Sequence, residues 1–527
     1  MNRHLSTMCT VVLPLALVAF VEFGLGPLAM GAETPAPLPG ATSAASAALA
    51  DAIRSHVERG VAAARAARAQ AQAGAPKLDT FRHLVRTGNW TEVWPDREGK
   101  PQTRQVNGEI WTTAIQAALE QHHTVTVPAR AQPYYLDAPL VLKSGQSLVA
   151  DAQAEIRLQP GINTCLVRNE HIVGAQDGPA PANAEPDRNI VIEGGIWTTL
   201  ATSHGQSNGN SRGRSARQGD VPGCHGVVLL SNVCGVVVQK LTVRQSRAFG
   251  VHLSNCHDFL VDDVAFEDQG RDGVHVNGPT AYGVIRNVRG VTHDDFVALN
   301  AWEWQGYTPT FGPIQQVLVE DVSGTDRASR DYASPYPDGT AEIRLLPGTK
   351  VFPGGARLAC DISDCVFRKL VNIRTVKMYD QPNLELGRDK DFADPIGTMR
   401  NVHFSQLMFQ RPGRFQIGAH VDGLTIDDVQ FRFALPETFK LVEIGPMSAT
   451  YQHRPDDPTT WTEIFSPDRD VTVRAFRLTG VRVLQGGQLV PFPDASTRLV
   501  KVADQHPNPN YPKTTPRGGS GKARIIP

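Results

Sequence analysis

The chain has 527 residues, enough for one large domain or several ordinary ones. Hydrophobic residues make up 41% of the chain and charged residues 20%, which predicts a folded core and excludes a largely disordered protein. The formal net charge is −1, so there is no general electrostatic reason to expect binding to nucleic acid or to an anionic membrane.

The N-terminus has the pattern of a secretory signal peptide, which we place at residues 1–32. Arg3 gives a basic start, an apolar run covers residues 11–21, and small residues precede a predicted cleavage site near Ala32. The run is short for a membrane span and Glu22 interrupts it, although an uncleaved anchor is the alternative. We therefore expect a periplasmic or secreted protein without membrane association after cleavage.

An alanine-rich region follows, and we assign residues 33–100 to it. Alanine has the highest helix propensity, so the sequence predicts a helix over about residues 44–73. Its arginines lie on more than one face, which favours a solvated helix or spacer over a DNA-binding element. We expect no catalytic role for this region.

An amphipathic helix over residues 108–121 is predicted to cap a series of short strands. Its apolar face consists of Ile110, Ala114, Ile115, Ala118 and Leu119. The strands are predicted at residues 124–127, 134–142, 147–150 and 156–158. A helix that leads into many short strands is typical of a β-solenoid, whose first coil would otherwise expose an open sheet edge.

A 23-residue repeat is the strongest structural signal in the sequence. The segment Gly250-Val-His-Leu253 recurs as Gly273-Val-His-Val276 and again as Phe296-Val-Ala-Leu299. A second ladder, with spacings of 23 and 24 residues, runs through residues 241–243, 264–266 and 288–290. One coil cannot bury its apolar face alone, so the coils must stack. The sequence therefore predicts an all-β protein, a right-handed parallel β-helix over residues 101–484.

Several segments fall outside this repeat. Residues 201–220 and 325–340 are rich in turn-forming residues and are predicted to be inserted loops, which often wall a cleft. Residues 485–527 are predicted to be a C-terminal extension that ends in a disordered tail from about residue 504. Six cysteines remain after removal of the signal, without any Cys-x-x-Cys pair, so we expect small buried side chains and no zinc site. A disulfide between Cys360 and Cys365 is the alternative.

Three aspartates are predicted to crowd at the strand starts of two adjacent coils. The repeat aligns Asp272 with Asp295 and Arg271 with Asp294, and neighbouring strands lie about 4.8 Å apart. Carboxylates at this spacing repel each other, so their pKa values separate and one can hold a proton while another is ionised. Acid–base hydrolysis requires these two roles. The alternative is that Asp294 and Asp295 only cap a turn. Two other acidic pairs are interpreted as turn or surface residues: Asp262-Asp263 and Asp427-Asp428.

These segments resemble glycoside hydrolase family 28, the polygalacturonase-like enzymes among the pectin-lyase-like β-helix proteins. Gly270-Arg-Asp-Gly-Val-His-Val276 is similar to the family's Asn-Thr-Asp-Gly segment, and His293-Asp-Asp-Phe-Val-Ala-Leu-Asn300 to its Gly-Asp-Asp-Cys-Ile-Ala segment. The resemblance implies an inverting glycoside hydrolase in which Asp294 protonates the leaving oxygen while Asp272 and Asp295 activate water. The carboxyl groups of inverting enzymes lie about 6.5 to 9.5 Å apart. The family's Gly-His-Gly segment has no counterpart after the Asp pair.

Two histidines are predicted to line a groove beside the aspartates. His252 and His275 occupy equivalent positions of adjacent coils, and the register continues to Ala298 and then Arg344. Neighbouring side chains of a strand point to opposite faces. Because the valines on either side of His275 are expected in the core, both histidines are predicted to point outward and to contact a ligand.

Other candidate substrate-binding residues surround the same place. Trp302 and Trp304 follow the Asp pair, and one of the two is expected to stack on a sugar ring. The alternative is that at least one of them packs on the solenoid. Lys377 or Arg344 is a candidate for contact with an acidic sugar, with solvated surface charges as the alternative. Arg271 is a further candidate substrate-binding residue. Glu303 is a reserve carboxylate.

Three functions remain open on this sequence. The first is an exported hydrolase that degrades a polysaccharide or oligosaccharide and needs no cofactor and no metal. The second is a polysaccharide lyase on the same fold, with the three aspartates as Ca²⁺ ligands and Arg271 or Arg344 as the base. The third is a carbohydrate-binding or structural solenoid without catalytic activity.

Overall fold

The structure is a computed structural model. It describes residues 41–71, 78–95, 100–162, 164–172, 184–199, 226–246, 249–303, 308–324, 341–352, 354–379, 396–445, 450–454, 457–464, 470–503 and 522–527. The predicted signal peptide, the two predicted inserted loops and most of the predicted tail lie outside the described residues. Within these ranges, every helix is too short or too polar to cross a membrane.

Helices and strands are numbered in chain order. The helices are α1 Ala41–Gly60, α2 Ala62–Ala71, α3 Thr112–Gln121 and α4 Ala495–Arg498, with a 3-10 helix at Leu78–Leu84. The first strands are β1 Arg86–Pro95, β2 Pro101–Ile110, β3 Thr124–Val127, β4 Tyr134–Leu136, β5 Leu140–Leu142, β6 Ser147–Ala150, β7 Glu155–Leu158, β8 Val167–Asn169, β9 Asp187–Glu193, β10 Ile196–Thr198, β11 Gly226–Gln239 and β12 Thr242–Arg244. The central strands are β13 Phe249–Gln269, β14 Val274–Asn277, β15 Thr280–Thr292, β16 Asp295–Asn300, β17 Ile314–Ser323, β18 Glu342–Leu346, β19 Gly348–Val351, β20 Arg357–Cys360, β21 Ile362–Val371 and β22 Thr375–Tyr379. The last strands are β23 Thr398–Phe409, β24 Arg414–Gly418, β25 His420–Phe431, β26 Val442–Ile444, β27 Thr450–Arg454, β28 Asp457–Ile464, β29 Val471–Leu478, β30 Val481–Gln485, β31 Gln488–Pro491, β32 Val500–Val502 and β33 Ala523–Ile526.

The strands form a right-handed parallel β-helix, which confirms the predicted fold. Each strand pairs in parallel with the equivalent strand of the next coil. Val251 lies opposite Val274, and Val274 opposite Val297, as the first predicted ladder requires. Phe266 lies opposite Val243 in the second predicted ladder. The apolar side chains of successive coils therefore stack into one continuous core.

One corner of the coil repeats the same left-handed backbone turn. Its residues have φ between 50° and 56°, and they are Asp263, Asn287, Asp321, Lys369, Gln406 and Asp428. Asn and Asp tolerate this conformation better than other non-glycine residues. The acidic pairs at residues 262–263 and 427–428 are therefore corner residues, as predicted.

Helix α3 covers the first coils, in agreement with the predicted cap. Its apolar residues Ala114, Ile115, Ala118 and Leu119 are fully buried. The helix begins at Thr112 rather than at the predicted residue 108. The residues before it belong to β2, which pairs with β1 in an antiparallel hairpin.

The alanine-rich region forms helices, but the prediction of a solvated spacer is wrong. One face of α1 and α2 packs on the outside of the β-helix. The buried helix residues are Ala50, Ile53, Val57, Val61 and Ala64, and the strand residues beneath include Val237, Leu260, Val284, Leu318 and Val366. Their spacing of three or four residues makes an apolar stripe. Two arginines form ion pairs with β-helix carboxylates: Arg54 with Glu320 at 3.1 Å and Arg68 with Glu193 at 2.9 Å.

The C-terminal region also adds strands beyond the predicted boundary at residue 484. Strand β32 pairs in parallel with β26, and β33 pairs in parallel with β29. The last part of the chain therefore contributes to the same sheets as the preceding coils.

The cysteines agree with the expectation of small buried side chains. Cys360 and Cys365 are both buried and unbonded to each other. The alternative of a disulfide between them is not supported.

Candidate active site

The three predicted aspartates meet at the start of strands β14 and β16. One carboxylate oxygen from each of Asp272, Asp294 and Asp295 lies within 4.8 Å of the others. The coils are held in register here because the Gly273 amide donates to the Asp295 carbonyl at 2.8 Å. Asp272 is 3% exposed and Asp295 is 1% exposed, whereas the Asp294 side chain is 28% exposed. Asp294 is thus the carboxylate of the three that solvent reaches.

Three cations surround these carboxylates. Arg271 Nη1 lies 3.3 Å from Asp294 Oδ2. Lys377 Nζ lies 3.4 Å from Asp295 Oδ1, and Arg344 Nε lies 3.3 Å from Asp295 Oδ2. These predicted substrate-binding residues therefore reach the predicted acidic centre, but each of them contacts a carboxylate of the chain.

Glu342 is a further member of this cluster, and the sequence analysis missed it. It lies opposite Asp295 in the strand pairing, and its Oε2 is 2.5 Å from Lys377 Nζ. The sequence repeat could have identified Glu342, because the coil after that of Asp295 has this acidic residue at the paired position. The sequence register through Arg344 pairs Asp295 with Ala341, and a shift in the strand pairing between Asp295 and Val297 makes Glu342 the partner instead.

The surroundings separate the pKa values of the three aspartates. Burial raises the pKa of Asp295 to about 6, against the lowering effect of Lys377 and Arg344. Burial also raises the pKa of Asp272, with a further contribution from the charge of Asp294. For Asp294, burial acts in the same direction, but Arg271 and then Lys377 outweigh it and hold its pKa below the usual value. A separation of this kind distinguishes a proton-carrying group from an ionised one.

His275 contacts two carboxylates behind the aspartates. Its Nδ1 lies 2.6 Å from Asp272 Oδ2, and its Nε2 lies 3.0 Å from Glu303 Oε2. Burial lowers the pKa of His275, but the two carboxylates outweigh it and raise the pKa to about 9. Its side chain is 1% exposed, so the predicted direct contact with substrate is not supported.

His252 is also inaccessible, although its predicted register with His275 is confirmed. Its side chain is fully buried, and its Nε2 lies 2.7 Å from Asn277 Oδ1. Burial lowers the pKa of His252 to about 3, so the ring is neutral. The prediction that it binds substrate is wrong because Phe249, absent from the sequence-based site, covers this face and stacks on His275 at 3.8 Å.

Trp302 is a core residue and not a platform for sugar. It is fully buried among the apolar side chains of the β-helix, and its amide donates to the Leu346 carbonyl of the next coil. Trp304 lies outside the described residues.

The aspartates do not fit the Ca²⁺ site of the lyase alternative. Their oxygens are close enough to share a cation by distance alone. However, Arg271, Arg344 and Lys377 already lie within 3.4 Å of these carboxylates and would repel a divalent cation. Calcium also requires six to eight oxygen ligands.

Two pockets lined by described residues do not include the aspartates. One, of about 580 Å³, lies beside Glu170, His171 and Asp187. Another, of about 290 Å³, lies beside Arg104 and Tyr135. The candidate active site is therefore defined by its ionisable groups and not by either of these cavities.

Comparison with known proteins gives similarity in structure alone. No family model and no curated protein matches this chain. The chain is similar in structure to family 28 polygalacturonases. The exopolygalacturonase of Yersinia enterocolitica matches with a TM-score of 0.38 and 12% identity, over 81% of this chain and 80% of that one. The polygalacturonase of Erwinia carotovora matches with a TM-score of 0.38 and 12% identity, over 79% of this chain and 97% of that one.

A surface protein and adhesin of Streptococcus pneumoniae is similar to the same degree. It matches with a TM-score of 0.39 and 11% identity, over 79% of this chain and 96% of that one. Enzymes and an adhesin are thus similar to this chain to the same degree, and the similarity carries no conclusion about chemistry.

Proposed function

We propose that this protein is an exported glycoside hydrolase that cleaves a polysaccharide at Asp272, Asp294 and Asp295. The observation that carries the proposal is the contact of three carboxylates from two adjacent coils, with oxygens within 4.8 Å and oppositely shifted pKa values. Hydrolysis of a glycosidic bond needs one carboxyl group that gives a proton and one ionised carboxylate. Export is part of the proposal because of the N-terminal pattern of residues 1–32.

The carboxyl group that holds the proton before the reaction in this proposal is Asp295. Its pKa of about 6 lets it carry a proton under mildly acidic conditions. Asp294 stays ionised beside Arg271 and, as the exposed member, meets the substrate or the attacking water. This reverses the roles that the family resemblance implies, because a carboxyl group whose pKa is lowered is ionised at the working pH and has no proton to donate.

The predicted inversion of the anomeric centre has no support from the distances. The closest carboxylate oxygens lie within 4.8 Å, which is shorter than the separation of about 6.5 to 9.5 Å in inverting enzymes. The proposal therefore covers hydrolysis, and the configuration of the first product, followed by NMR, decides between inversion and retention.

The lyase is the less favoured alternative. A lyase base must lose a proton near neutral pH. Burial would lower the pKa of Arg344, but the surrounding acidic groups raise it well above its usual value, and the pKa of Lys377 is raised by Asp295 and Glu342 in the same way. These groups hold their protons and act as counter-ions.

The test is product analysis on a panel of neutral and acidic polysaccharides. Wild type, Asp294→Asn and a control, Asp263→Asn, are compared; Asp263 is a corner residue with φ of 55°, which asparagine tolerates. We expect new reducing ends from wild type and the control, and a loss of about 100-fold or more in Asp294→Asn. Unsaturated products would replace the proposal with the lyase. Binding without cleavage would replace it with the carbohydrate-binding solenoid.

A further inference from the structure

A buried histidine links the acidic centre to a fourth carboxylate. His275 lies between Asp272 and Glu303, with its ring nitrogens 2.6 Å and 3.0 Å from their oxygens. The three side chains are between 1% and 5% exposed. Glu303 also accepts a hydrogen bond from Asn300 Nδ2 at 2.7 Å.

Among the described residues, the other groups around this ring add no charge in direct contact with it. Phe249 stacks on the ring at 3.8 Å, and Arg271 lies 5.6 Å from the centre of that phenyl ring. His252 meets the edge of His275 at 5.1 Å and is neutral. On the next coil, the residue opposite His275 is Ala298.

Both ring nitrogens of His275 thus lie within 3.0 Å of a carboxylate oxygen. A neutral imidazole has one N–H donor and one acceptor nitrogen, whereas the imidazolium donates from both. Only the charged form therefore matches two ionised acceptors, and a neutral ring would place a lone pair against a buried carboxylate. The amide of Asn300, which donates to Glu303, favours an ionised Glu303 as well.

We propose that His275 is a positioning residue whose fixed positive charge favours the ionised form of Asp272, the neighbour of the proton-carrying Asp295. This inference rests on the proposed function for its catalytic meaning, but the charge states can be measured without a substrate. His275 acts through Asp272 and does not touch the sugar.

The consequence for Asp295 follows from repulsion between carboxylates. Ionised Asp272 raises the pKa of Asp295, although burial is the largest contribution. In His275→Gln, Asp272 loses its cation and becomes easier to protonate. Neutral Asp272 no longer repels the negative charge of Asp295, so the pKa of Asp295 falls.

NMR of the full chain tests the charge states directly. With ¹⁵N-labelled histidine, the His275 resonances are assigned by their loss in His275→Gln. We expect both nitrogens to remain protonated from pH 5 to pH 8, as the pKa of about 9 implies. With ¹³C-labelled aspartate, we expect the titration midpoint of Asp272 to rise by about 1 to 3 pH units in His275→Gln. A neutral His275 at pH 7, or an unchanged Asp272 midpoint, overturns the inference.

Two further variants keep the test decisive. His403→Gln is the matched control, because His403 contacts the Asn401 side chain at 2.7 Å and should leave Asp272 unchanged. Glu303→Gln removes one of the two acceptors and should lower the pH at which His275 loses its proton. If His275→Gln does not fold, His275 is identified as the histidine whose titration moves in Glu303→Gln, and the absence of any such shift overturns the inference.

The pH dependence of activity gives a readout that a purely structural role would not move. The alkaline limb of kcat/KM reports loss of the proton from Asp295, so in His275→Gln it should shift to lower pH. An unshifted limb contradicts the positioning role. If wild type cleaves no polysaccharide, the proposed function fails, and the two NMR titrations still accept or reject the inference.

Discussion

Lys377 lies between Asp295 and Glu342, with Nζ 3.4 Å from the first carboxylate and 2.5 Å from the second. Strand pairing places the two acids opposite each other on adjacent coils, and the lysine comes from the coil after them. The ammonium group is 2% exposed, so these charges compensate one another away from water. A buried ion cluster of this kind is sensitive to removal of one member.

We expect Lys377→Met to destabilise the protein by about 3 to 5 kcal/mol, because it removes the cation beside the buried Glu342 and one of the two cations beside Asp295. The measurement is urea-induced unfolding followed by circular dichroism. The matched control is Lys369→Met, whose partner Asp321 is 41% exposed, and its loss should cost about 1 kcal/mol or less. Equal effects of the two substitutions would contradict the buried ion cluster.

Replacement of Arg271 should alter the pH dependence of activity. Arg271 holds the pKa of Asp294 below its usual value against the effect of burial, so Arg271→Gln should raise it. If Asp294 must be ionised, activity is lost as pH falls through its pKa, and the acidic limb of kcat/KM should move to higher pH. Arg289→Gln, which removes an exposed partner of Asp263, is the control. An acidic limb that is the same in all three proteins would show that Arg271 does not tune Asp294.

The same lowered pKa predicts a contribution to stability. A carboxyl group whose folded pKa is depressed stabilises the fold above its unfolded pKa, and this stabilisation is lost as pH falls through the folded value. Between pH 7 and pH 3, wild type should therefore lose more stability than Arg271→Gln loses. Thermal unfolding at several pH values measures this difference. A larger loss in the variant would contradict the assignment.

Trp302 should affect stability and not sugar recognition. Because the indole is fully buried in the core, Trp302→Ala should destabilise the protein by about 3 to 5 kcal/mol. Trp302→Phe, which keeps much of the buried volume, should fold and retain the wild-type KM for the substrate found in the panel. A folded Trp302→Phe protein with a strongly raised KM would restore the predicted role as a sugar platform.

The packing of α1 is also testable. Ile53 is 2% exposed on the face against the strands, so Ile53→Ala should cost about 2 to 5 kcal/mol. Arg59→Ala, at an exposed position of the same helix, should have little effect. Chemical unfolding compares the two. A solvated spacer would make the two variants equal.

The sequence by itself determined the coil and the position of the acidic centre. A period of 23 residues requires stacked coils, and stacking alone brings Asp272 beside Asp295 and Arg271 beside Asp294. The turn role of the acidic pair at residues 262–263 also followed from local backbone preferences. These features depend on register, which the sequence contains.

Only the tertiary structure decided which side chains are accessible and which are charged. The outward direction of His252 and His275 was predictable from strand alternation, but their burial depends on Phe249, whose ring lies 5.2 Å from that of His252 and 3.8 Å from that of His275. The apolar stripe of α1 was present in the sequence, yet what it packs against lies more than a hundred residues away along the chain. Burial and pKa depend on the neighbours from every direction, and a repeat specifies neighbours along one ladder only.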